Sequence, residues 1–536
     1  MASPPTLAQA LIETLAARGT RRLFGVPGGG SSLALIEAAR AAGLDFVLTA
    51  TETGAGLMAA VTAELSRAPG AVLTGVGPGA ASAVNGVAYA HLEKSPLVLL
   101  SDVGDTDHDG PAPLHQRFDQ PALYGPLTRW SGRLRPDQAD VTLGEILAAL
   151  SGPPPGPVQI DVSARDAESP AARPTPPPAD RAMVDEAALT AVQAAFGAAR
   201  RPLLLVGLEA RDPAVATALG ALMATLGAPA LTTYKAKGVV ADDRAGLVGH
   251  LTGAAGEAEI LQASDCLLAI GLDPIELIPG PWPARAPLLD LAAAPRPEPG
   301  PVPPLASAAG DLARMVGTLA AAATRSDWPA GEIAELKARL AARLARGQTS
   351  DLSPAAVIAR ARRAAPAETR LTVDAGAHMF STLATWRARA PFDVLKSNGL
   401  STMGFAVPAA IAGALAEPGR PHLAATGDGG LVMGLGELAT LHRLALPVVV
   451  LVLNDAALSL IDVKQRRRQL PRAGVAYPRV DFAAVARGLG LQAWSVATPE
   501  ALGPALDAAF AQAAPALVDV RIDASGYAEQ VAALRG

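Results

Sequence analysis

Short apolar runs alternate with longer Ala/Leu-rich stretches of helical spacing along the whole 536-residue chain. Most of the apolar runs end in Gly-, Asp- or Ser-rich turns, which is typical of parallel strands buried between helices. The pattern therefore predicts an α/β protein with doubly wound parallel sheets. The apolar runs that carry this prediction are residues 71–76, 96–102, 157–162, 201–207, 229–238 and 266–273, and the later segments RLTVDAG, HLAATGDGG and PVVVLVLND.

Two proline-rich segments interrupt the alternation, one around residues 170–180 and one at 296–304. Proline can continue neither a helix nor a central strand, so the first segment is predicted to be a linker, and the second to end the middle domain's sheet. A chain of this length suits about three domains. The expected boundaries are 1–170, 182–345 and 350–536. Ser353 followed by proline predicts a helix start in the last domain. The first and third domains share one α/β pattern and can be distant copies of one fold.

Composition narrows the class of protein. Half of the residues are hydrophobic and 18% are charged, as in globular proteins. No uninterrupted apolar run reaches about 18 residues, and the start lacks the basic and apolar stretches of a signal peptide, so we expect a cytoplasmic protein. The net charge of −5 provides no basis for binding nucleic acid or an acidic membrane. The single cysteine, Cys266, excludes an internal disulfide and is expected in the core.

The most informative chemistry lies in residues 424–457. One apolar strand is followed by a Gly-Asp-Gly turn around Asp428, and a second apolar strand ends at Asn454 and Asp455. Parallel strands bind ligands at their carboxyl ends, so both acidic groups are expected to face one site. The glycines allow backbone N–H groups to approach a phosphate, and two carboxylates suit Mg²⁺. The segment therefore predicts a site for a diphosphate and Mg²⁺.

This segment resembles the diphosphate-and-metal motif of the thiamine-diphosphate-dependent 2-oxo acid decarboxylase and acetolactate synthase family. The resemblance extends over nearly the whole chain. It implies that Mg²⁺ is bound by the side chains of Asp428 and Asp455 and by the backbone carbonyl of Ala457. Many members have Asn where this chain has Asp455, which also suits a hard cation. The glycines implied to contact the cofactor are Gly427, Gly429 and Gly430.

The segment LTATETGAGLMAAVTAEL resembles the part of the family that supplies a carboxyl group to the aminopyrimidine of thiamine diphosphate. Glu52 occupies that position. The resemblance implies that Glu52 binds the cofactor and is catalytic, because the tautomer it favours removes the proton from the thiazolium carbon. The family usually has His before this residue, whereas this chain has Thr51, so any role of that histidine is absent or filled otherwise.

Two further segments resemble the parts of the family that hold the cofactor. In SNGLSTMGFAVPAA, the resemblance implies that Met403 is the apolar wedge that keeps the cofactor bent. Ser401 stands where many members have Gly, and the resemblance implies that its backbone contacts the pyrimidine. In DAGAHMFST, the resemblance implies that His378 donates a hydrogen bond to the diphosphate.

The substrate side is indicated by two loops. Residues 24–38 contain a Gly-rich turn after a strand but lack the GxGxxG spacing of a dinucleotide site. In the family this loop lines the active site, which implies the pocket residues Val26, Pro27, Gly28 and Gly29. Residues 114–132 resemble the form found in flavin-independent, catabolic acetolactate synthases. There His115 and Gln116 are implied to reach the cofactor, with Gln116 the catalytic contact to the substrate or intermediate.

The favoured function is the acetolactate synthase-like condensation of pyruvate. Benzoylformate-type decarboxylation and 2-hydroxyacyl-CoA lyase chemistry are the alternatives. Simple 2-oxo acid decarboxylases often carry adjacent histidines near residue 110, whereas here His108 and His115 are separated. A nicotinamide dehydrogenase would need a Rossmann fingerprint, which the sequence lacks. A catalytically silent member that only binds cofactor or partner is the non-enzyme alternative, and the presence of Glu52 argues against it.

The middle domain could hold FAD or ADP, as in some relatives, or be purely structural. Residues 271–282 do not have the glycine pattern of a phosphate-binding loop, so we favour the absence of flavin. In the family, the first domain of one chain and the last domain of another hold opposite ends of the cofactor. The resemblance therefore implies a homo-oligomer, either a dimer or a dimer of dimers, acting on a small 2-oxo acid.

Overall fold

The computed structural model describes residues 4–105, 115–174, 183–296, 300 and 302–535. It contains three six-stranded sheets, and every strand pair with a defined register is parallel. This confirms the predicted α/β class. His108 and much of the predicted linker at 170–180 lie outside the described residues, as does residue 182. We propose that each sheet marks one domain, with the boundaries expected from the sequence.

The first sheet has the strand order β2-β1-β3-β4-β6-β5. Its strands are β1 (Arg22–Val26), β2 (Asp45–Leu48), β3 (Gly70–Thr74), β4 (Leu97–Val103), β5 (Trp130–Arg133) and β6 (Val158–Ser163). The helices between and around them are α1 (Leu7–Ala17), α2 (Ser31–Ala41), α3 (Glu52–Ser66), α4 (Pro78–Ser82), α5 (Val84–Leu92), α6 (Gln120–Tyr124), α7 (Ala139–Ser151) and α8 (Ala164–Glu168).

The second sheet has the order β12-β11-β10-β7-β8-β9, which reverses direction as doubly wound sheets do. Its strands are β7 (Pro202–Val206), β8 (Ala230–Thr233), β9 (Leu247–Leu251), β10 (Cys266–Ile270), β11 (Leu288–Ala292) and β12 (Ala306–Ala309). The expectation that the segment at 296–304 ends this sheet was wrong, because β12 follows that segment and pairs with β11. Its helices are α9 (Glu186–Gly197), α10 (Pro213–Leu226), α11 (Ala258–Ala263), α12 (Leu312–Ala322) and α13 (Ala330–Leu344). Cys266 is buried in this core as predicted, and burial raises the pKa of its thiol to about 12.

The third sheet, ordered β14-β13-β15-β16-β18-β17, repeats the order of the first, in line with the similarity expected of these domains. Its strands are β13 (Arg370–Val373), β14 (Val394–Lys396), β15 (His422–Gly427), β16 (Val448–Asn454), β17 (Gln492–Val496) and β18 (Ala516–Arg521). The helices are α14 (Pro354–Ala364), α15 (Ala377–Thr385), α16 (Ala406–Ala416), α17 (Asp428–Met433), α18 (Glu437–Arg443), α19 (Ser459–Arg467), α20 (Phe482–Gly488), α21 (Pro499–Phe510) and α22 (Tyr527–Arg535).

Local capping explains where several helices begin. Asp185 and Asp311 accept hydrogen bonds from backbone N–H groups three residues later, at 3.0 Å each. Ser353 caps α14 in the same way, and Pro354 is its first residue, so the predicted helix start is confirmed. Such caps satisfy N–H groups that a helix leaves unpaired at its first turn.

The described residues form two compact units. The first comprises Met1–Asp180, Val407–Gly419 and Gly434–Val448, and the second comprises Arg181–Ala406, Arg420–Met433 and Val449–Gly536. Two segments that lie between strands of the third sheet in the chain, which contain most of α16 and all of α18, thus belong to the unit of the first sheet. Among the described residues, no helix combines the length and apolarity that a bilayer crossing requires.

Within the second unit, a buried ion pair follows β8. The Oδ2 of Asp242 accepts hydrogen bonds from Lys237 Nζ at 2.6 Å and from the backbone N–H of Ala388 at 2.7 Å. Burial lowers the pKa of Lys237, and the charge of Asp242 opposes this shift. One carboxylate therefore stabilises a buried ammonium group and a loop next to the third sheet.

Replacing Asp242 with alanine is expected to destabilise the protein by roughly 3 kcal/mol, because an unpaired ammonium group would remain buried. The midpoint of urea unfolding measures this change. Asp243→Ala is the matched control, since Asp243 is adjacent in sequence and its carboxylate is exposed. Equal midpoints for the two variants would contradict the expectation.

Candidate functional site

A cavity of about 240 Å³ in the second unit lies where β13, β15 and β16 end. The structure places all the predicted cofactor and metal residues of the third domain around it, namely His378, Ser401, Met403, Gly427, Asp428, Gly429, Gly430, Asp455 and Ala457. The remaining lining residues, which were not predicted individually as site residues, are Ala375, Gly376, Ala377, Leu453, Leu458, Ser459, Leu460, Ile461 and Tyr527. Parallel strands with a common edge explain why such separated segments meet.

Two carboxylates lie at one side of this cavity. Asp428 begins α17 directly after β15, and its Oδ2 accepts a hydrogen bond from Ala456 N–H at 2.6 Å. Asp455 follows β16 and accepts hydrogen bonds from Ser459 Oγ at 2.5 Å and Ala457 N–H at 3.3 Å. Burial raises the pKa of Asp455 to about 6; the charge of Asp428 adds to this, while Ser459 opposes it. Two mutually repelling carboxylates favour binding of a cation.

The described residues contain no cluster of three or more His, Cys, Asp or Glu side chains able to hold a metal ion. A cation bound by Asp428 and Asp455 would therefore need oxygen ligands of another kind, such as a backbone carbonyl or phosphate oxygens. Ala457 lines the same cavity. This set of hard oxygen donors fits Mg²⁺ together with a diphosphate.

His378, another residue that lines the cavity, lies at the start of α15, and its imidazole is buried. Its Nε2 has no hydrogen-bond partner among the described residues. A Cβ at Gly427 would lie only 3.1 Å from Nδ1, so glycine there leaves space for the ring. Burial lowers the pKa of His378 to about 4, which keeps the ring neutral at pH 7. In a neutral imidazole one ring nitrogen carries a proton, so Nε2 can donate a hydrogen bond to an acceptor such as a phosphate oxygen.

The turn of Ser401 and Met403 also borders the cavity. Ser401 has a φ of 51°, a left-handed conformation that glycine adopts at lower cost. This accounts for the glycine that the resemblance places there. The Cε of Met403 lies 3.3 Å from the position that a Cβ on Gly429 would take. The half-buried Met403 side chain therefore lies against the Gly-Asp-Gly turn.

Asp374, which the sequence analysis did not single out, holds this turn in place. Its Oδ1 accepts hydrogen bonds from the N–H groups of Phe405 and Ala406, at 2.6 and 2.9 Å. Its Oδ2 accepts from Gly404 N–H at 3.3 Å and Thr426 Oγ1 at 2.6 Å. Burial raises the pKa of Asp374, and these hydrogen bonds oppose the shift. An acidic residue directly after a buried strand was the signal that could have identified it.

In the first unit, Glu52 and Gln116 border one turn after β3. Glu52 begins α3 and is half-buried, and its Oε1 lies 3.1 Å from the position of a Cβ on Gly79. Gln116 is exposed and has a φ of 59°, and a Cβ on Gly77 would overlap its carbonyl oxygen. The structure thus places both predicted catalytic residues beside the same turn.

The Gly-rich loop lies next to that turn. Val26 ends β1, Pro27, Gly28 and Gly29 follow it, and a Cβ on Gly28 would approach the Cα of Gly75 to 2.8 Å. His115, the other residue predicted to line the substrate pocket, is exposed.

Asp102 in β4, which the sequence analysis also missed, accepts hydrogen bonds from the N–H and Oγ of Ser31, both at 3.1 Å. It thereby fixes the end of the Gly-rich loop.

Three family models match the chain, and each falls on one sheet. They are described as thiamine pyrophosphate enzyme domains: the N-terminal TPP binding domain matches residues 5–123, the central domain 189–292 and the C-terminal TPP binding domain 374–520.

Relatives match over nearly their whole length. A probable 2-ketoarginine decarboxylase of Pseudomonas aeruginosa is 30% identical, covering 96% of this chain and 94% of its own. The catabolic acetolactate synthase of Raoultella terrigena is 28% identical, and the match covers 96% of this chain and 95% of that protein. An acetolactate synthase of Bacillus subtilis is 26% identical, with 97% and 93% covered.

Proposed function

The chain belongs to the thiamine-diphosphate-dependent enzyme family that includes the acetolactate synthases, and from this premise we propose that it condenses two molecules of pyruvate to acetolactate and CO₂. The observation that carries the proposal is the cavity that joins two carboxylates, a glycine turn and an unpartnered imidazole nitrogen. When bound, thiamine diphosphate supplies a nucleophilic carbon that adds to the keto group and takes up the electron pair left by CO₂.

We propose that the second unit binds the diphosphate end. Asp428, Asp455 and the carbonyl of Ala457 hold Mg²⁺, and His378 Nε2 donates a hydrogen bond to a phosphate oxygen. Met403 supports the bent shape of the cofactor. The burial of Asp428 and the free ring nitrogen of His378 support these roles. The glycines at 427, 429 and 430 line the cavity, and because they have no side chain of their own, a phosphate can lie close to this stretch of backbone.

The first unit supplies the groups that act on the pyrimidine and the substrate. Glu52 exchanges a proton with the aminopyrimidine, and Gln116 hydrogen-bonds the substrate or intermediate. His115 and the loop from Val26 to Gly29 line the substrate pocket. The common turn at Gly77 and Gly79 supports this grouping.

A homodimer or a dimer of dimers is the proposed working unit. His115 and Gln116 are exposed in the single chain, although their proposed role requires a site from which water is excluded. Val432 and Met433, just after the Gly-Asp-Gly turn, are 50% and 63% exposed. Exposed apolar side chains beside a site are typical of a subunit interface. A monomer mass by light scattering under active conditions would contradict this.

The central sheet is proposed to bind no flavin. After β7, the backbone N–H of Leu208 that could contact a phosphate already donates to Glu276 at 2.8 Å. Arg296 is surrounded there by three further carboxylates, Glu209, Asp273 and Asp290. This excess of negative charge disfavours a dinucleotide diphosphate. Visible flavin absorbance in the purified protein would overturn this part of the proposal.

A decarboxylase that protonates its intermediate is the second candidate, favoured by the 30% identity to the probable 2-ketoarginine decarboxylase. Purified protein with thiamine diphosphate and Mg²⁺ is given pyruvate, 2-ketoarginine or benzoylformate, while CO₂ release and product masses are followed. Acetolactate from pyruvate supports the proposal, and an aldehyde alone supports the second candidate. Cofactor binding without turnover would support the catalytically silent alternative.

Asp374→Asn is expected to weaken binding of thiamine diphosphate roughly 10–100-fold, the range for groups that orient a ligand shell. The side-chain amide of asparagine would place an N–H donor against backbone N–H groups whose hydrogen bonds Asp374 now accepts. Isothermal titration calorimetry measures the change. Asp507→Asn, on the exposed side of α21, is the control. Equal affinities for both variants would contradict a positioning role for Asp374.

A further inference from the structure

In the first unit, a buried carboxylate from a distant part of the chain contacts the start of the helix that carries Glu52. Glu437 is the first residue of α18 and is 1% exposed. Its Oε1 accepts hydrogen bonds from the backbone N–H and the Oγ1 of Thr51, both at 3.1 Å. Its Oε2 accepts from Ala50 N–H at 3.3 Å. The carboxylate thus binds the two residues that precede Glu52.

The surrounding residues leave room for this carboxylate. A Cβ on Gly54 would overlap Glu437 Oε1, so only glycine fits there without displacing it. Thr51 Oγ1 also accepts a hydrogen bond from Gly54 N–H at 2.9 Å, as the cap of α3. Glu437, Thr51 and the first turn of α3 therefore form one continuous set of hydrogen bonds.

Hydrogen bonds to a charged acceptor are shorter and stronger than neutral ones. Ala50 and Thr51 are exposed, whereas the acceptor is buried. Removing this acceptor would leave their N–H groups without the partner that now fixes them. The backbone at these two residues determines the direction in which the Glu52 side chain leaves α3. A misplacement of about 1 Å at a reacting group can cost roughly 10²-fold in rate.

We propose that Glu437 is a positioning residue that holds the start of α3 so that Glu52 meets the aminopyrimidine in the reactive geometry. This inference rests on the proposed role of Glu52. Glu437 itself touches neither cofactor nor substrate in the proposal. Thr51, which stands where the family usually has His, provides the hydroxyl that joins Glu437 to the helix cap.

Glu437→Gln tests the proposal, because an amide presents a donor to one of the N–H groups. We expect kcat to fall roughly 10–100-fold and KM to change less than about threefold. Exchange of the thiazolium carbon proton in bound cofactor, followed by quenched-flow NMR, is expected to slow by the same factor. In cofactor-free protein, hydrogen–deuterium exchange at Ala50 and Thr51 is expected to accelerate about tenfold or more.

Glu500→Gln is the matched control, since Glu500 is also a first-turn glutamate but is exposed on α21. Wild-type amide exchange and wild-type kcat in Glu437→Gln would overturn the proposal. If wild-type protein bound thiamine diphosphate but never exchanged its carbon proton, the role of Glu52 would fail. The amide exchange would still report on the Glu437 contact, so the two failures are distinguishable.

Gly54→Ala provides a second test that leaves Glu437 in place. Alanine favours a helix over glycine by about 1 kcal/mol, so an unobstructed position would become more stable. With the carboxylate of Glu437 in the way, we expect lower kcat and faster exchange at Thr51 instead. The effects of Gly54→Ala and Glu437→Gln are expected to be non-additive in the double variant. Additive effects, or a more stable and fully active Gly54→Ala enzyme, would overturn the proposal.

Discussion

Replacing Glu52 with glutamine is expected to lower kcat by about 10²–10⁴-fold, the usual contribution of a positioned acid–base group. Glutamine has nearly the same shape but cannot exchange a proton with the aminopyrimidine. Binding of thiamine diphosphate is expected to persist, because the proposed diphosphate and metal contacts remain intact. Steady-state kinetics and calorimetric titration of the cofactor together measure both effects.

Glu37→Gln is the matched control in the same unit, because Glu37 is an exposed residue that pairs with Arg40 on the surface of α2. It is expected to keep full activity. Full activity of Glu52→Gln would remove Glu52 from the mechanism. Loss of cofactor binding in Glu52→Gln, with folding unchanged, would assign it a binding role in place of a catalytic one.

Replacing Asp428 with alanine is expected to weaken binding of thiamine diphosphate and Mg²⁺ by at least about 100-fold. Even residues that only orient metal ligands cost about 10–100-fold when replaced, and Asp428 is a proposed direct ligand. Wild-type protein treated with a chelator is expected to bind thiamine diphosphate as poorly as Asp428→Ala. Calorimetry with and without Mg²⁺ measures both, and the stabilisation by cofactor on heating should disappear in parallel.

Asp455→Asn is the companion variant. The family resemblance places Asn at this position in many members, and an amide oxygen can bind Mg²⁺. The substitution also removes a carboxylate whose pKa is raised to about 6, mainly by burial. We therefore expect Asp455→Asn to retain binding within about tenfold, in contrast to Asp428→Ala. Undiminished Mg²⁺-dependent binding in Asp428→Ala would refute the proposed metal site.

The sequence was sufficient for strands that consist of an uninterrupted apolar run. β16 consists of buried residues throughout, and its apolar run predicted it. The edge strands β5 and β17 were missed because they are only partly buried and carry polar residues. The buried inner strands β11 and β18 were missed as well, because an aspartate interrupts the apolar run of each. An edge strand has one hydrogen-bonded neighbour, so its composition resembles that of a loop.

The residues of the candidate site also differ in whether a local sequence pattern could predict them. Asp428 and Asp455 directly follow buried strands of a parallel sheet, so their approach to one cavity could be anticipated from the sequence. Glu52, Gln116 and His378 were proposed only through resemblance to a family. No local pattern distinguishes a functional glutamate at a helix start from a solvated one.

Local sequence patterns were enough to predict the α/β class, the strands with continuous apolar runs and the residues that follow those strands, because burial and strand alternation act over short distances. The carboxylates that hold the backbone next to the predicted site residues could be identified only from the folded chain. Asp374 holds the turn after Met403, and Glu437 contacts Thr51 across 386 positions of the chain. Such contacts depend on how distant segments pack, and a buried carboxylate takes whichever N–H groups the fold brings to it.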